Sequence, residues 1–570
     1  MLNKLYTKRG SELPLQPWNI YPRPQLRRDS FVCLNGKWDF TVTDGDEPKV
    51  FDRKITLPFA PESLLSGIGE TFDESSALWY RKEFEVPELR DGKRLLLHFG
   101  AVDQVAHVYM NGIMLGKHEG GYDHFSFDVT GCVKETNTLI VKVTDNLSDF
   151  VFPYGKQCRK RGGMWYTPVS GIWQTVWLEE VPERYIRSLR IETGTDYASI
   201  SVDGVSDGVV TVKGVEGSFS LSDSKALIRI EDPHLWSPED PYLYDFTVTS
   251  GQDKVDSYFA LRSLEIKEIN GIGRLCLNGR PYFFHGLLDQ GYWSDGLLTP
   301  ASPECYADDI LAMKSLGFNM LRKHIKTEPE QFYYDCDRLG MVVFQDMVNN
   351  GKYSFLRDTA LPTVGFIKRS DDNLHKDIET RRRFVEGMER TVEQLYNHPC
   401  ICCWTIFNEG WGQFCGTEMY RKLKKLDGSR FIDTASGWFS GCETDFDSRH
   451  VYFRRLKLKA GKKPLFLSEF GGYSFKPEGH VFNEDQTYGY GKFKDRESFV
   501  KAFCELYENE VLPLVKDGLS AAVYTQVSDV EDETNGLFSF DRYVLKVRPE
   551  EFLDISRRLT SGNNFSANPD

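Results

Sequence analysis

The chain has 570 residues, 40% hydrophobic and 14% aromatic, too long for one ordinary domain and too apolar for disorder, so about three to four domains are expected. A net charge of −14 with no basic block excludes nucleic acid or an anionic membrane as the main partner and leaves a small ligand. No stretch approaches the ~18 consecutive apolar residues of a membrane span. Residues 1–9 lack the apolar centre of a signal peptide. Twelve cysteines lie scattered without a regular frame, which reads as a cytoplasmic chain with reduced thiols. Cys400, Cys402 and Cys403 sit in an apolar run and read as small buried hydrophobes, since a zinc site wants paired C-x-x-C knuckles.

The first 181 residues read as short strands separated by turns. Runs at 34–40, 79–86, 95–99 and 138–143 alternate apolar and polar residues, and Asn111-Gly112 is the strongest short hairpin signal. Many short strands at this spacing predict a jelly-roll sandwich. Residues 182–265 hold further strands at 209–212, 226–230 and 244–248, with no helical pattern, which fits an immunoglobulin-like sandwich. From 266 to 560 the rhythm changes to helices alternating with apolar strands, and the length suits a (β/α)8 TIM barrel. Ser302 and Pro303 open one helix and Gly317 closes it; a second runs from 330 to 339, and a third from 381 to 398. Each feeds a continuous apolar run, the signature of a parallel sheet covered on both faces. Residues 561–570 read as a polar, frayed tail.

Two of the apolar strands end on carboxylates. Phe407 is followed by Asn408 and Glu409, and Leu467 by Ser468 and Glu469. A buried charge is expensive without a reason, and strand C-terminal ends open into a barrel's active-site mouth. Paired carboxylates across a pocket are the machinery of glycoside hydrolysis. Two salt-bridged strand-end glutamates would give the same pattern without any chemistry.

The chain resembles glycoside hydrolase family 2, the family of β-galactosidases, β-glucuronidases and β-mannosidases. The resemblance runs through 34–40, Asn111-Gly112, 118–122, 170–174, 235–241, 319–324, 407–409 and 468–471, nearly the whole length. It implies that Glu409 is the general acid/base and Glu469 the nucleophile, Glu469 being the low-pKa carboxylate and Glu409 the one that keeps its proton for the leaving oxygen. Asn408 matches the residue that binds the sugar 2-hydroxyl. Tyr452 matches a tyrosine that hydrogen-bonds the nucleophile, and Arg322 an arginine that keeps it ionised. His324 falls in the same matched stretch and counts as substrate-binding. Trp411 and Trp438 are candidates to stack on sugar faces or to be core. The loop 154–165 is the candidate contribution of the jelly roll to the pocket rim.

Departures from the family bear on the sugar. Where many members carry Asn-Arg-His-Glu after the first barrel strand, this chain has Asp289 and Gln290, candidate replacements for the missing histidine. The Asn-x-Lys motif with which glucuronidases hold a carboxylate is replaced by Glu533-Thr534-Asn535. Lys323 and Lys326 could pair with a uronate instead, or bridge to a nearby acid. The magnesium ligands of related galactosidases are missing after the third strand, so no metal and no cofactor are expected. Tyr524 stands where some members have a tryptophan. The reading is a retaining exo-β-glycosidase for terminal β-galactosides. A β-uronidase with a non-standard clamp and a non-catalytic carbohydrate-binding protein are its rivals, and the resemblance leaves room for a homo-oligomer.

Overall fold

The computed structural model describes residues 2–86, 92–363, 366 and 370–561; positions 562–570 of the polar tail lie outside them. A six-stranded and a four-stranded antiparallel sheet form the jelly roll. Thr136–Thr144 lies between Ala77–Glu85 and Val105–Met110, and its alternate residues Leu139, Val141 and Val143 are buried against Trp38, Phe40, Leu97 and Phe99. Asn111 and Gly112 both take positive φ, 53° and 80°, and turn Val105–Met110 back onto Ile113–Glu119 as a two-residue hairpin requires. The second sandwich packs Ser188–Thr193, Tyr197–Asp203 and Lys225–Arg229 on a four-stranded sheet that ends with Tyr244–Ser250 and Asp253–Phe259.

The first residues do not join the jelly roll. They form an arm on the barrel: Asn3 N donates to Phe482 O, Thr7 to Asp295, and the Trp18 indole to Pro300 O. The hairpin Leu264–Ile269 and Ile272–Leu277 then leads into the barrel. Gly273 N reaches Gly461 O and Arg274 reaches Leu519 O, at the entrances of the last two strands.

Eight parallel strands make the barrel: β1 (Phe284–Asp289), β2 (Met320–Lys323), β3 (Val342–Asp346), β4 (Ile401–Asn408), β5 (Phe431–Ser436), β6 (Asp447–Val451), β7 (Leu465–Gly471) and β8 (Leu519–Thr525). They pair in the order β5-β4-β3-β2-β1-β8-β7-β6, so the ring is closed by hydrogen-bonded ladders except between β5 and β6. Helices Glu304–Ser315, Glu330–Leu339 and Ile378–Leu395 pack outside; the third starts and stops a few residues earlier than its sequence pattern, capped by the Asp377 carboxylate. No helix among the described residues is long and apolar enough to cross a membrane.

Strands β5 and β6 escape a hydrophobicity reading because Asp433, Thr434, Ser436, Ser448 and His450 interrupt their apolar runs. Those polar groups are buried. Beneath them, Phe284, Phe344, Phe431, Phe446 and Phe466 pack ring to ring at 5.3–6.4 Å. This aromatic floor leaves the polar layer and the strand ends to shape the mouth.

Candidate active site

Glu469 sits one step past a bulge. Pairing between β6 and β7 runs Arg449 with Leu467 and then His450 with Glu469, and a second irregularity falls between Leu467 and Phe470 on the β8 side. The extra residue re-aims the strand end and sets Glu469 against His450. Arg322 Nη1 donates to Glu469 Oε1 at 3.0 Å, and the Tyr452 hydroxyl donates to Oε2. Burial pushes the Glu469 carboxyl up, but His450, Arg322 and His324 outweigh it, with the Tyr452 hydroxyl adding to them, and hold it at about 2.

Arg322 is fully buried and every arm is occupied. Its Nε donates to Asp346 Oδ1 at 2.9 Å, Nη1 also to Ser468 O at 3.1 Å, and Nη2 to Asn408 Oδ1 at 2.9 Å. The last contact commits the amide oxygen of Asn408 and leaves its NH2 as the group offered to a ligand. His324 Nδ1 lies 2.9 Å from Asp346 Oδ2, so Asp346 orients arginine and imidazole together. Burial lowers the His324 pKa against the pull of Asp346, with Lys156 contributing. Asp346 is the one carboxylate at 346–351, and both of its oxygens are taken. That donor set does not fit the magnesium site of related galactosidases.

Glu409 follows β4 with φ of 52°, an uncommon left-handed conformation for a residue with a side chain, and its N–H is held by Ser436 O at 2.9 Å. Its carboxylate meets a polar neighbour, His450: Nδ1 is 2.8 Å from Glu409 Oε1. The other ring nitrogen is 3.1 Å from Ser436 Oγ and 3.6 Å from Glu469 Oε1. The imidazole therefore stands between the two glutamates, whose facing atoms lie within 4.8 Å of one another. Among the described residues this is the one group of three such side chains close enough to hold a metal ion. The site prediction missed His450, although it lies two residues before Tyr452, at the end of β6, in the spacing that puts alternate residues on one face.

The rim comes from several loops. Tyr490 stacks on Tyr452 at 3.9 Å, and Tyr353 and Tyr488 also feel the charge of Glu409. The jelly-roll loop predicted for the rim reaches the barrel: Tyr154 hydrogen-bonds Gly351 O, Trp165 packs on Trp411 at 5.0 Å, and Tyr166 donates to Glu533. Trp411 is buried beneath that loop, its indole donating to Gly351 O. Trp438 is half-buried near His450, with an indole N–H that has no hydrogen-bond partner among the described residues.

Other predicted contacts lie elsewhere. Arg322 points inward on β2, so Lys323 points outward, over the Phe332 ring and between Asp289 (2.6 Å) and Glu328 (2.8 Å). Lys326 is bound by Gly291 O, Leu298 O and Glu328. Both lysines are buried and neutralised by acids, which removes them from the list of substrate contacts, and Asp289 goes with them. Gln290 is buried beside this network, its Oε1 without a hydrogen-bond partner among the described residues. Tyr524 also leaves the list: it is fully buried against Phe470 and Phe503, its oxygen accepting from Tyr473 N. The mouth position on β8 belongs to Thr525, 3.3 Å from the Tyr452 hydroxyl.

Two sandwiches ahead of a barrel with paired carboxylates at its strand ends define a multidomain glycoside hydrolase scaffold. Three family profiles match in chain order: glycosyl hydrolase 2 galactose-binding domain-like over residues 70–200, glycosyl hydrolases family 2 over 188–262, and glycosyl hydrolases family 2, TIM barrel domain, over 268–542. The chain belongs to glycoside hydrolase family 2. It is 26% identical over 435 residues to a β-galactosidase of Thermoanaerobacter pseudethanolicus, covering 70% of this chain and 54% of that one. It is 22% identical over 608 aligned positions to a β-glucuronidase of Streptococcus agalactiae, covering 93% and 97%. It thus spans about half the length of the first relative and nearly all of the second. In fold it is similar to a β-glucuronidase from an uncultured Clostridium sp. (TM-score 0.71, 19% identity, 94% and 99% covered). It is also similar to a β-galacturonidase from Eisenbergiella tayi bound to glycerol (TM-score 0.69, 18% identity, 97% and 100% covered).

Proposed function

We propose that this protein is a retaining exo-β-glycosidase that removes terminal β-linked sugars, with β-galactosides as its substrates. The observation that carries the reading is the facing pair Glu409 and Glu469, within 4.8 Å across His450; retaining glycosidases set their carboxyls roughly 5–5.5 Å apart. Glu469, held ionised, attacks the anomeric carbon while Glu409 gives its proton to the departing oxygen. The glycosyl ester so formed is hydrolysed when Glu409 takes a proton from water and the oxygen of that water displaces Glu469. Arg322 fixes Glu469 and Asn408 in one grip, so the amide that meets the sugar is positioned with the nucleophile. No step uses a metal or cofactor.

A neutral sugar is supported by two features: an acid, Glu533, replaces the carboxylate-binding motif, and Lys323 and Lys326 are already neutralised. The β-uronidase reading keeps the similarity in sequence to a β-glucuronidase over nearly the whole chain and in fold to a glucuronidase and a galacturonidase. Replacing Glu469 by Gly tests the mechanism. Turnover of a nitrophenyl β-glycoside should vanish and azide should partly restore it, giving the inverted glycosyl azide. A variant keeping more than about a tenth of the wild-type rate, a barrier change of only ~1.4 kcal/mol, would show that Glu469 is not the nucleophile.

A further inference from the structure

The mouth holds a cation and an acid that this chemistry does not use. Glu533, in the loop after β8, is buried. Its Oε2 accepts from the Tyr166 hydroxyl at 3.0 Å and from the Gln526 amide at 2.7 Å. Among the described residues Oε1 has no hydrogen-bond partner, yet it is not sealed from solvent. Lys156, on the jelly-roll loop, is half-buried, and its ammonium makes no hydrogen bond or ion pair among the described residues. Burial raises the Glu533 carboxyl, and Lys156 is the strongest influence pulling it back. The same ammonium acts on His324, and Glu469 acts on Glu533. Tyr166 joins the two segments, its N–H on the Lys156 carbonyl and its hydroxyl on Glu533, and Gln526, the other donor to Glu533, follows Thr525 beside Tyr452 and Glu469. Lys156 and Glu533 make no ion pair with each other among the described residues.

Lys156 is also rigidly presented. Its carbonyl accepts from Tyr166 N at 3.0 Å, Tyr154 N donates to Asn349 O at 3.1 Å, and Gln157 Nε2 donates to Asp103 at 2.8 Å. Gly155 has φ of 64°, and a Cβ there would stand 3.0 Å from Ile325 O, so the loop's approach to the barrel requires glycine.

An ammonium only donates and a carboxylate only accepts. A group that satisfies both at once must accept from one and donate to the other, as a hydroxyl does. A uronate would meet Lys156 but bring a second anion against Glu533, and one of the two would have to take up a proton. Building on the glycosidase reading, we propose that Lys156 and Glu533 form a hydroxyl clamp that holds a sugar hydroxyl remote from the scissile bond, selecting a neutral sugar and rejecting a uronate.

The test compares nitrophenyl β-galactoside with nitrophenyl β-galacturonide, which differ only in CH2OH against carboxylate, with the gluco pair run alongside. Wild-type kcat/KM should favour the neutral member of at least one pair by about tenfold or more. Glu533→Gln keeps an oxygen for Tyr166 and Gln526; it should weaken the neutral substrate about ten- to hundredfold, mostly in KM, and move the neutral-to-uronide ratio at least tenfold toward the uronide. Lys156→Met should weaken the neutral substrate without helping the uronide, and Lys156→Arg should restore part of the loss. Should Glu533→Gln not fold, product inhibition of the wild type decides: galactose or glucose should bind more tightly than the matching uronic acid. A wild type that prefers the uronide in both pairs, or folded variants with unchanged ratios, would overturn the clamp alone. Absence of turnover on every β-glycoside would overturn the glycosidase reading beneath it.

Discussion

His450→Gln isolates the residue that joins the two glutamates. The imidazole touches Glu409 at 2.8 Å and leads the influences that hold Glu469 down. A hydrogen bond to a charged group is worth about 1.5–3 kcal/mol, which is ~10- to 150-fold in rate if it acts fully at the transition state. Because kcat/KM reports steps through formation of the glycosyl-enzyme, the leaving group separates the two contacts. A methyl or phenyl glycoside needs the proton of Glu409 and should lose about 10- to 150-fold. A dinitrophenyl glycoside leaves without that proton and should lose no more than about threefold. The assay is kcat/KM against leaving-group acidity for wild type and variant, with thermal unfolding to confirm folding. Equal losses on both substrates would assign the effect to Glu469 and refute the reasoning; no loss on either would make His450 a bystander.

Three further outcomes are expected. Lys326→Met removes one of the two ammonium groups on buried Glu328, which keeps Lys323 and the Tyr306 hydroxyl, and should cost about 1.5–3 kcal/mol of stability, read by denaturant unfolding, while the ranking of neutral and acidic substrates stays unchanged. Zn2+ should inhibit competitively by occupying Glu409, His450 and Glu469, chelator should reverse it, and His450→Gln should weaken it; insensitivity to Zn2+ would contradict the ligand geometry. Glu469 is held at about 2, below its ordinary 4.5. Its ionisation therefore contributes stability, roughly 3 kcal/mol by linkage, that is present above pH 4.5 and lost as pH falls toward 2. Comparing unfolding of the wild type and Glu469→Gln at pH 7 and pH 3 should show a stability difference that shifts against the wild type at the lower pH.

Where a residue type carried its own geometric consequence, the sequence was readable. Asn111-Gly112 marked a hairpin, Gly317 the end of a helix, and the apolar runs before Glu409 and Glu469 marked two barrel strands. What could not be read depended on neighbours from distant segments. Whether Lys323 meets a uronate or bridges to an acid depends on Glu328 and Asp289, which enclose it. Tyr524 and Thr525 differ by one position, and in a strand that step exchanges core for mouth. His450 carries no motif of its own, because its importance comes from a bulge on β7 that no local pattern records. Lys156 belongs to the site only because the jelly roll leans its loop over the barrel.

The most direct measurement of the central claim is the site of covalent capture. A 2-deoxy-2-fluoro β-galactosyl fluoride slows hydrolysis of the glycosyl ester more than its formation, so the intermediate should accumulate. Mass spectrometry of the digested protein should find one fluoroglycosyl group, on the peptide holding Glu469, and none when Glu469 is replaced by Gln. Attachment to Glu409, Glu533 or any other side chain, or fast turnover with no adduct, would contradict the assignment of Glu469 as the nucleophile.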